Sequence, residues 1–137
     1  TIILTGAAFG TAMWANVWFV IWPNQKVVIG SAVAAASGGQ ANPKAAEHGA
    51  KALRASRHNV LFSIPMLFFM GAAGHLSVTV DETSNFAAYW AVMLGILIVL
   101  EINALKGKLG PLTTVKGVIT SGFVLAMGLY FLIEAML

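Results

Sequence analysis

The sequence predicts an all-α integral membrane protein, an up-down bundle of four transmembrane helices with one long cytoplasmic loop. Its 137 residues are 58% hydrophobic and only 9% charged, whereas soluble domains carry roughly 25% charged residues. Four apolar runs are long enough to cross the hydrocarbon core, which takes about 20 helical residues. We therefore expect a single membrane domain over residues 1–137 whose surface contacts the lipid bilayer.

The predicted spans cover residues 2–22, 59–80, 86–105 and 112–136. The first closes in a run with three tryptophans, which suit the headgroup level. It also contains Asn16, an amide that needs a polar partner in a medium without water. The second contains Pro65, which removes a backbone hydrogen bond and predicts a kink. Short connections follow the second and third spans, so the last three spans are expected to be antiparallel neighbours.

All the basic residues lie on one face of the membrane in this predicted topology. They lie between the first two spans, between the last two, or at the start of the fourth: Lys26, Lys44, Lys51, Arg54, Arg57, Lys106, Lys108 and Lys116. The positive-inside rule therefore makes the loop over residues 23–58 cytoplasmic and places both termini on the opposite face. Within that loop, residues 44–57 predict a short basic helix on the inner membrane surface. A docking surface for a soluble partner is the alternative.

The chain contains no cysteine, which excludes disulfides, thiolate catalysis, iron–sulfur clusters and covalent c-type haem within it. It begins at Thr1 and not at methionine, so we expect a processed or truncated sequence. Its first helix lacks a basic flank and a small-residue cleavage site, and it is therefore not interpreted as a signal peptide. No nucleic-acid partner is expected.

Two histidines are candidate cofactor ligands. His75, near the outer end of the second span, is a candidate haem or metal ligand or a proton-relay group near a quinone; a hydrogen-bonded interfacial histidine is the alternative. His58 begins the same span, seventeen residues earlier, which is roughly 25 Å along a helix. The two cannot ligate one iron. We therefore expect no cofactor or metal bound by this chain alone, and leave a haem or quinone at a subunit interface as an alternative.

Glu101 lies near the cytoplasmic end of the third span. A carboxylate there should either pair with a basic group or take part in proton transfer. The expected basic partners are Lys26, Arg57 and Lys116, which are predicted at the same level.

Three blocks of sequence together resemble one family. They are MWANVWFVIWPNQK over residues 13–26, ASRHNVLFSIPMLFFM over residues 55–70 and EINALKG over residues 101–107. In this order they resemble the membrane domain of the bacterial membrane-bound urate oxidase (urate hydroxylase) family. The resemblance implies urate oxidation in purine breakdown, with electrons passed to the respiratory chain. It covers only the C-terminal half of that membrane domain, without the cytochrome c domain that follows it in the family.

These blocks lie at one membrane level and are predicted to meet as an inner-face polar cluster, with Asn16 further inside the bundle. Its members are Asn16, Asn24, Gln25, Lys26, Arg57, His58, Asn59, Glu101 and Asn103. The resemblance identifies no catalytic residue. Together with the charge map, it places the protein in the bacterial inner membrane with both termini periplasmic.

Three functions fit this sequence. The first is a small integral subunit of a larger membrane-bound oxidoreductase or respiratory-type complex, with a structural, assembly or quinone-side role beside other membrane subunits. The second is a urate oxidase-like enzyme that passes electrons to a separate cytochrome c. The third is a transporter of protons or small solutes.

Overall fold

The computed structural model describes residues 1–76 and 84–137, and every regular element among them is helical. Helix α1 (Ile2–Ala15) continues through a π-helical segment (Asn16–Ile21) into α2 (Trp22–Ala36). Helix α3 (Ala45–Ala72) and helix α4 (Phe86–Lys106) follow. A 3-10 turn (Gly110–Thr113) leads to α5 (Val115–Met136). The prediction of an all-α protein is confirmed for the described residues.

Three helical stretches among the described residues are long and apolar enough to cross a bilayer: Ile2–Ala36, Phe86–Lys106 and Val115–Met136. Helix α3 is not one of them, because charged side chains such as Glu47, Lys51 and Arg54 occupy its first half. The span predicted over residues 59–80 is therefore not among the three candidates found in the described residues. Its helix ends at Ala72, and residues 77–80 and most of the predicted turn after them lie outside the described residues.

The connection predicted over residues 23–58 is mostly helical, while its cytoplasmic position stays a prediction. Only residues 37–44 connect α2 to α3, and the short basic helix predicted over residues 44–57 is the first half of α3. Alanine-rich stretches have high helix propensity, and Pro23 lies just after the π-helical segment, within the continuous helical rod. The rod from Ile2 to Ala36 has 35 residues, or roughly 52 Å, against a hydrocarbon core of about 30 Å.

Helix α3 is the centre of the bundle. Gly6 of α1 lies against Met66 and Met70 of α3, while Asn16, at the start of the π-helical segment that follows α1, bonds Asn59 of α3, so the first helical rod and α3 are antiparallel. Helix α4 is antiparallel to α3, with its C-terminal turn beside Arg54. The charged residues Glu47 and Lys51 in the first half of α3 remain exposed, whereas His58, Phe62 and Phe69 further along the helix are buried.

The ends of the helices agree with this arrangement. The N–H of Asn85, just before α4, donates to the carbonyl of Met136 at the end of α5 (2.9 Å). Near the same end, the hydroxyls of Thr5 in α1 and Tyr89 in α4 are 2.6 Å apart, and both side chains are buried. The starts of α1 and α4 and the end of α5 therefore meet at one end of the bundle. The α2–α3 connection and the 3-10 turn lie at the other, which we call the basic end.

Candidate functional site

The helical backbone changes its winding at Asn16. Residues Asn16–Ile21 form a π-helical segment that ends immediately before Trp22 and Pro23. Proline has no N–H to donate to the fourth residue before it, and its ring crowds that carbonyl. The π-helical segment lies just before this proline, and Asn24 Nδ2 donates to the carbonyl of Val20 at 2.7 Å. Short π segments inside α-helices occur frequently at functional sites.

A buried hydrogen-bond relay crosses the bundle at the start of this segment. Asn59 Nδ2 of α3 donates to the carbonyl of Met13 at 3.1 Å. Asn16 Nδ2 donates to Asn59 Oδ1 and to Glu101 Oε2 of α4, each at 3.0 Å. A backbone carbonyl can only accept, so Met13 fixes the orientation of Asn59, which in turn fixes that of Asn16. We call Asn16, Asn59 and Glu101 the amide–carboxyl cluster; it joins α3 and α4 to the first helix.

One polar atom of this cluster has no partner. Asn16 is 1% exposed, and its Oδ1 is the one buried side-chain N or O atom of the described chain that forms no hydrogen bond. An unsatisfied buried acceptor costs about 1–3 kcal/mol. Both hydrogens of the same amide are in use, so among the described residues Asn16 is paired as a donor and unpaired as an acceptor.

Glu101 has a different partner from those expected. Within the described residues it forms no ion pair with Lys26, Arg57 or Lys116, and the neutral amide of Asn16 is its hydrogen-bond donor. Glu101 also lines a groove of about 400 Å³ between α1 and α4. The other lining residues are Ala8, Thr11, Ala12, Ala15, Leu94, Leu97 and Ile98. The carboxyl group therefore lies at an otherwise almost wholly apolar surface of two membrane-capable helices.

A second cluster holds His58 and Asn103 nearer the basic end. His58 is fully buried; its Nδ1 is 2.9 Å from the carbonyl of Arg54 and its Nε2 is 3.0 Å from Asn103 Nδ2. The carbonyl can only accept and the amide nitrogen can only donate, so Nδ1 carries the proton and Nε2 is the acceptor. The imidazole is neutral, and neither ring nitrogen is free to ligate an iron.

Asn103 and Arg54 close the C-terminal end of α4. The side chain of Asn103 bonds both the N–H and the carbonyl of Lys108, each at 3.2 Å. Arg54 Nε and Nη2 donate to the carbonyls of Ala104 and Leu105 at 3.0 and 2.7 Å. These carbonyls have no partner within their own helix, and a cation at a helix C-terminus is electrostatically favourable.

Replacing Arg54 by alanine is expected to lower the free energy of unfolding by about 1–2 kcal/mol, since it removes hydrogen bonds from a charged donor to the carbonyls of Ala104 and Leu105, the first part-buried and the second exposed. Arg57→Ala is the matched control, because Arg57 is on the same helix and is half-buried but bonds no carbonyl of α4. Thermal unfolding of both variants in detergent measures the difference. Equal losses of stability would contradict the assigned capping role.

The nine residues predicted as one inner-face cluster are thus divided. Asn16, Asn59 and Glu101 form one group, and His58 and Asn103 form another. Asn24 Oδ1 instead accepts from Nδ1 of His48, which is 2.6 Å away and links α2 to α3. Lys26 is exposed, with its Nζ 5.9 Å from the centroid of the Trp22 ring. Gln25 and Arg57 are half-buried and join neither group.

His75 lies outside both clusters. It was expected on a helix, but α3 ends at Ala72 and His75 follows in an exposed turn, its backbone N–H bonded to the carbonyl of Ala72. No group of three His, Asp or Glu side chains that could hold a metal ion occurs within residues 1–76 and 84–137. Sequence reasoning also missed Arg54 as a helix cap and the Thr5–Tyr89 pair.

The comparisons with known proteins bear on these positions. The model of the urate oxidase N-terminal family, "Urate oxidase N-terminal", matches residues 1–132. No curated protein and no solved structure matches the chain. The matched residues include both clusters and the groove between α1 and α4.

Proposed function

Because the chain belongs to the urate oxidase N-terminal family, we propose that it is an integral membrane subunit of a larger urate-oxidising oxidoreductase. The amide–carboxyl cluster is the observation that supports this proposal most strongly. Within residues 1–76 and 84–137 its carboxyl group is paired with an amide and not with a cation, and it lies between the first helix and α4, which are both apolar enough to cross a bilayer. Ionisable groups in that position are costly and usually serve a function.

A subunit fits the geometry better than a complete enzyme. A binding pocket for a small polar molecule normally brings several polar groups together on one cavity. The α1–α4 groove presents Glu101, and the hydroxyl of its other polar lining residue, Thr11, donates to the carbonyl of Ala7 (2.9 Å). Urate is a polar purine, so further groups that recognise it would come from other subunits.

The redox partner is also proposed to lie on another chain. This sequence has no cysteine to attach a c-type haem, and both ring nitrogens of His58 are engaged within the chain. A separate cytochrome c is the acceptor that the family resemblance suggests. The residues of this chain would then orient groups of the other subunits at the membrane depth of Glu101. They would also form part of the interface between the subunits.

The charge distribution supports a cytoplasmic position for the basic end. All Lys and Arg side chains of the chain lie between residues 26 and 57 or between residues 106 and 116, at or near that end of the bundle. Glu47 offsets one of them: its carboxylate is 2.7 Å from Lys51 Nζ, and this hydrogen bond holds the pKa of Glu47 below its usual value. By the positive-inside rule, both termini would be periplasmic in the bacterial inner membrane.

Native purification in a mild detergent tests the subunit proposal. We expect the chain to co-purify in fixed stoichiometry with further membrane chains and a haem-containing protein, identified by mass spectrometry and by the haem spectrum. Asn16→Leu, which breaks the cluster, should release the partners or lower their yield, while Gln25→Leu should not. A chain that purifies alone, and that oxidises urate when cytochrome c is added, would instead support the enzyme alternative.

A further inference from the structure

The groove between α1 and α4 combines an apolar lining with a single carboxyl group. Among the described residues that line its volume of about 400 Å³, Glu101 alone is ionisable. The α1 wall is made of small side chains, and the α4 wall of leucine and isoleucine. Ile98 is 56% exposed, so the groove opens to the surface that faces lipid if both helices cross the membrane.

The Glu101 carboxyl is held with one oxygen available. Its Oε2 accepts from Asn16, whose position is set through Asn59 by the carbonyl of Met13. Its Oε1 has no hydrogen bond within the described chain and is not among the enclosed, unsatisfied atoms. Glu101 precedes the last residue of α4, Lys106, by five residues, or roughly 7.5 Å. The free oxygen therefore lies just inside the membrane at the basic end.

We propose that this groove binds the head of a quinone, a planar ring with two oxygens and an apolar tail. The Oε1 atom can accept the hydroxyl hydrogen of a hydroquinone or, when the carboxyl is protonated, donate to a quinone carbonyl. The small side chains of α1 leave room for a flat ring, and the apolar walls suit the first part of the tail. The proposal concerns binding alone and does not rest on urate oxidation.

A phospholipid headgroup fits the groove less well. It would bring a phosphate into the neighbourhood of the Glu101 carboxyl, and no Lys or Arg lines the described groove to neutralise it. A quinone head is neutral in both its oxidised and its reduced form. It needs only one hydrogen-bonding group and an apolar wall, which is what the groove provides.

The test uses the full chain in phosphatidylcholine nanodiscs and decylubiquinone as the probe, with quenching of tryptophan fluorescence as the readout. We expect saturable binding. Glu101→Leu should weaken it roughly tenfold, the loss of one well-placed hydrogen bond, while Glu101→Gln keeps a donor and an acceptor and should retain most of the affinity. Phe123→Ala is the matched control, because Phe123 lines a separate apolar groove beside Ile64 and Phe68.

A second variant keeps the test decisive if Glu101→Leu does not fold. Ile98→Phe fills the groove from its exposed side and keeps all three side chains of the amide–carboxyl cluster, and it should weaken binding by at least as much. Unsaturable partitioning, or equal affinity in wild type, Glu101→Leu and Ile98→Phe, would overturn the proposal. So would full displacement by decylbenzene, which has the tail without the oxygens, or by phosphatidylethanolamine.

Discussion

Asn16→Leu is expected to cause the largest loss of function of any single substitution in this chain. It removes the donor to both Asn59 Oδ1 and Glu101 Oε2, and each group left unpaired inside the bundle costs about 1–3 kcal/mol. The substitution also removes the unpaired Oδ1 of Asn16, and this offsets part of the lost free energy of unfolding. The net result should be a less stable bundle in which Glu101 is no longer held at the groove, and urate-dependent electron transfer should be lost.

Thermal unfolding in detergent and activity of the purified complex measure these two effects. Gln25→Leu is the control, because Gln25 is a half-buried amide of the same helical rod that joins neither cluster. The outcome that contradicts the account is an Asn16→Leu protein with wild-type activity. A variant that is merely less stable, with activity intact at low temperature, would limit Asn16 to a structural role.

Gly122→Leu is expected to cause a large loss of stability outside the cluster, because it crowds the contact between α5 and α3. A Cβ atom at Gly122 would lie 3.0 Å from Ile64 Cβ of α3 and closer still to Ile64 Cδ1. Overpacking of this kind typically costs 1–3 kcal/mol, and here it would force α5 away from the central helix. Gly128→Leu is the matched control on the same helix, since a Cβ there meets nothing within 4 Å.

The two glycine variants are compared by thermal unfolding of the purified chain in detergent. Gly122→Leu should unfold at a clearly lower temperature than wild type, while Gly128→Leu should remain close to it. Similar melting temperatures for the two would mean that α3 and α5 do not approach each other as closely as the structure shows.

Composition was sufficient to predict an all-helical membrane protein, because so few charged residues cannot cover a soluble surface. The extent of the helices was harder to predict. The polar side chains of residues 44–57 suggested a surface loop with a short helix, whereas these residues form the first half of α3, where Glu47 and Lys51 remain exposed. Charged residues show where a helix is in contact with water, but they do not show that the same helix continues into the bundle.

The polar residues of the candidate site were recognised because amides and carboxyls are rare in apolar runs. Their pairing was not. The predicted depth in the membrane placed Glu101 beside several basic residues. Whether two side chains at the same depth are in contact also depends on the direction in which each points from its helix axis. The π turn before Pro23 changes this direction for the residues of α2. The sequence did not reveal the role of Arg54 because its partners are backbone carbonyls. Every residue has a backbone carbonyl, so the residue types at positions 104 and 105 do not indicate this contact.

Urate-dependent reduction of cytochrome c by the natively purified complex tests the central claim most directly. We predict that the complex reduces cytochrome c when urate is added, that the isolated chain does not, and that a Glu101→Leu complex of unchanged composition has lost the activity. Urate oxidation by the isolated chain would contradict its assignment as a subunit. A complex that shows no urate-dependent reduction, or full activity in Glu101→Leu, would contradict the account of the amide–carboxyl cluster.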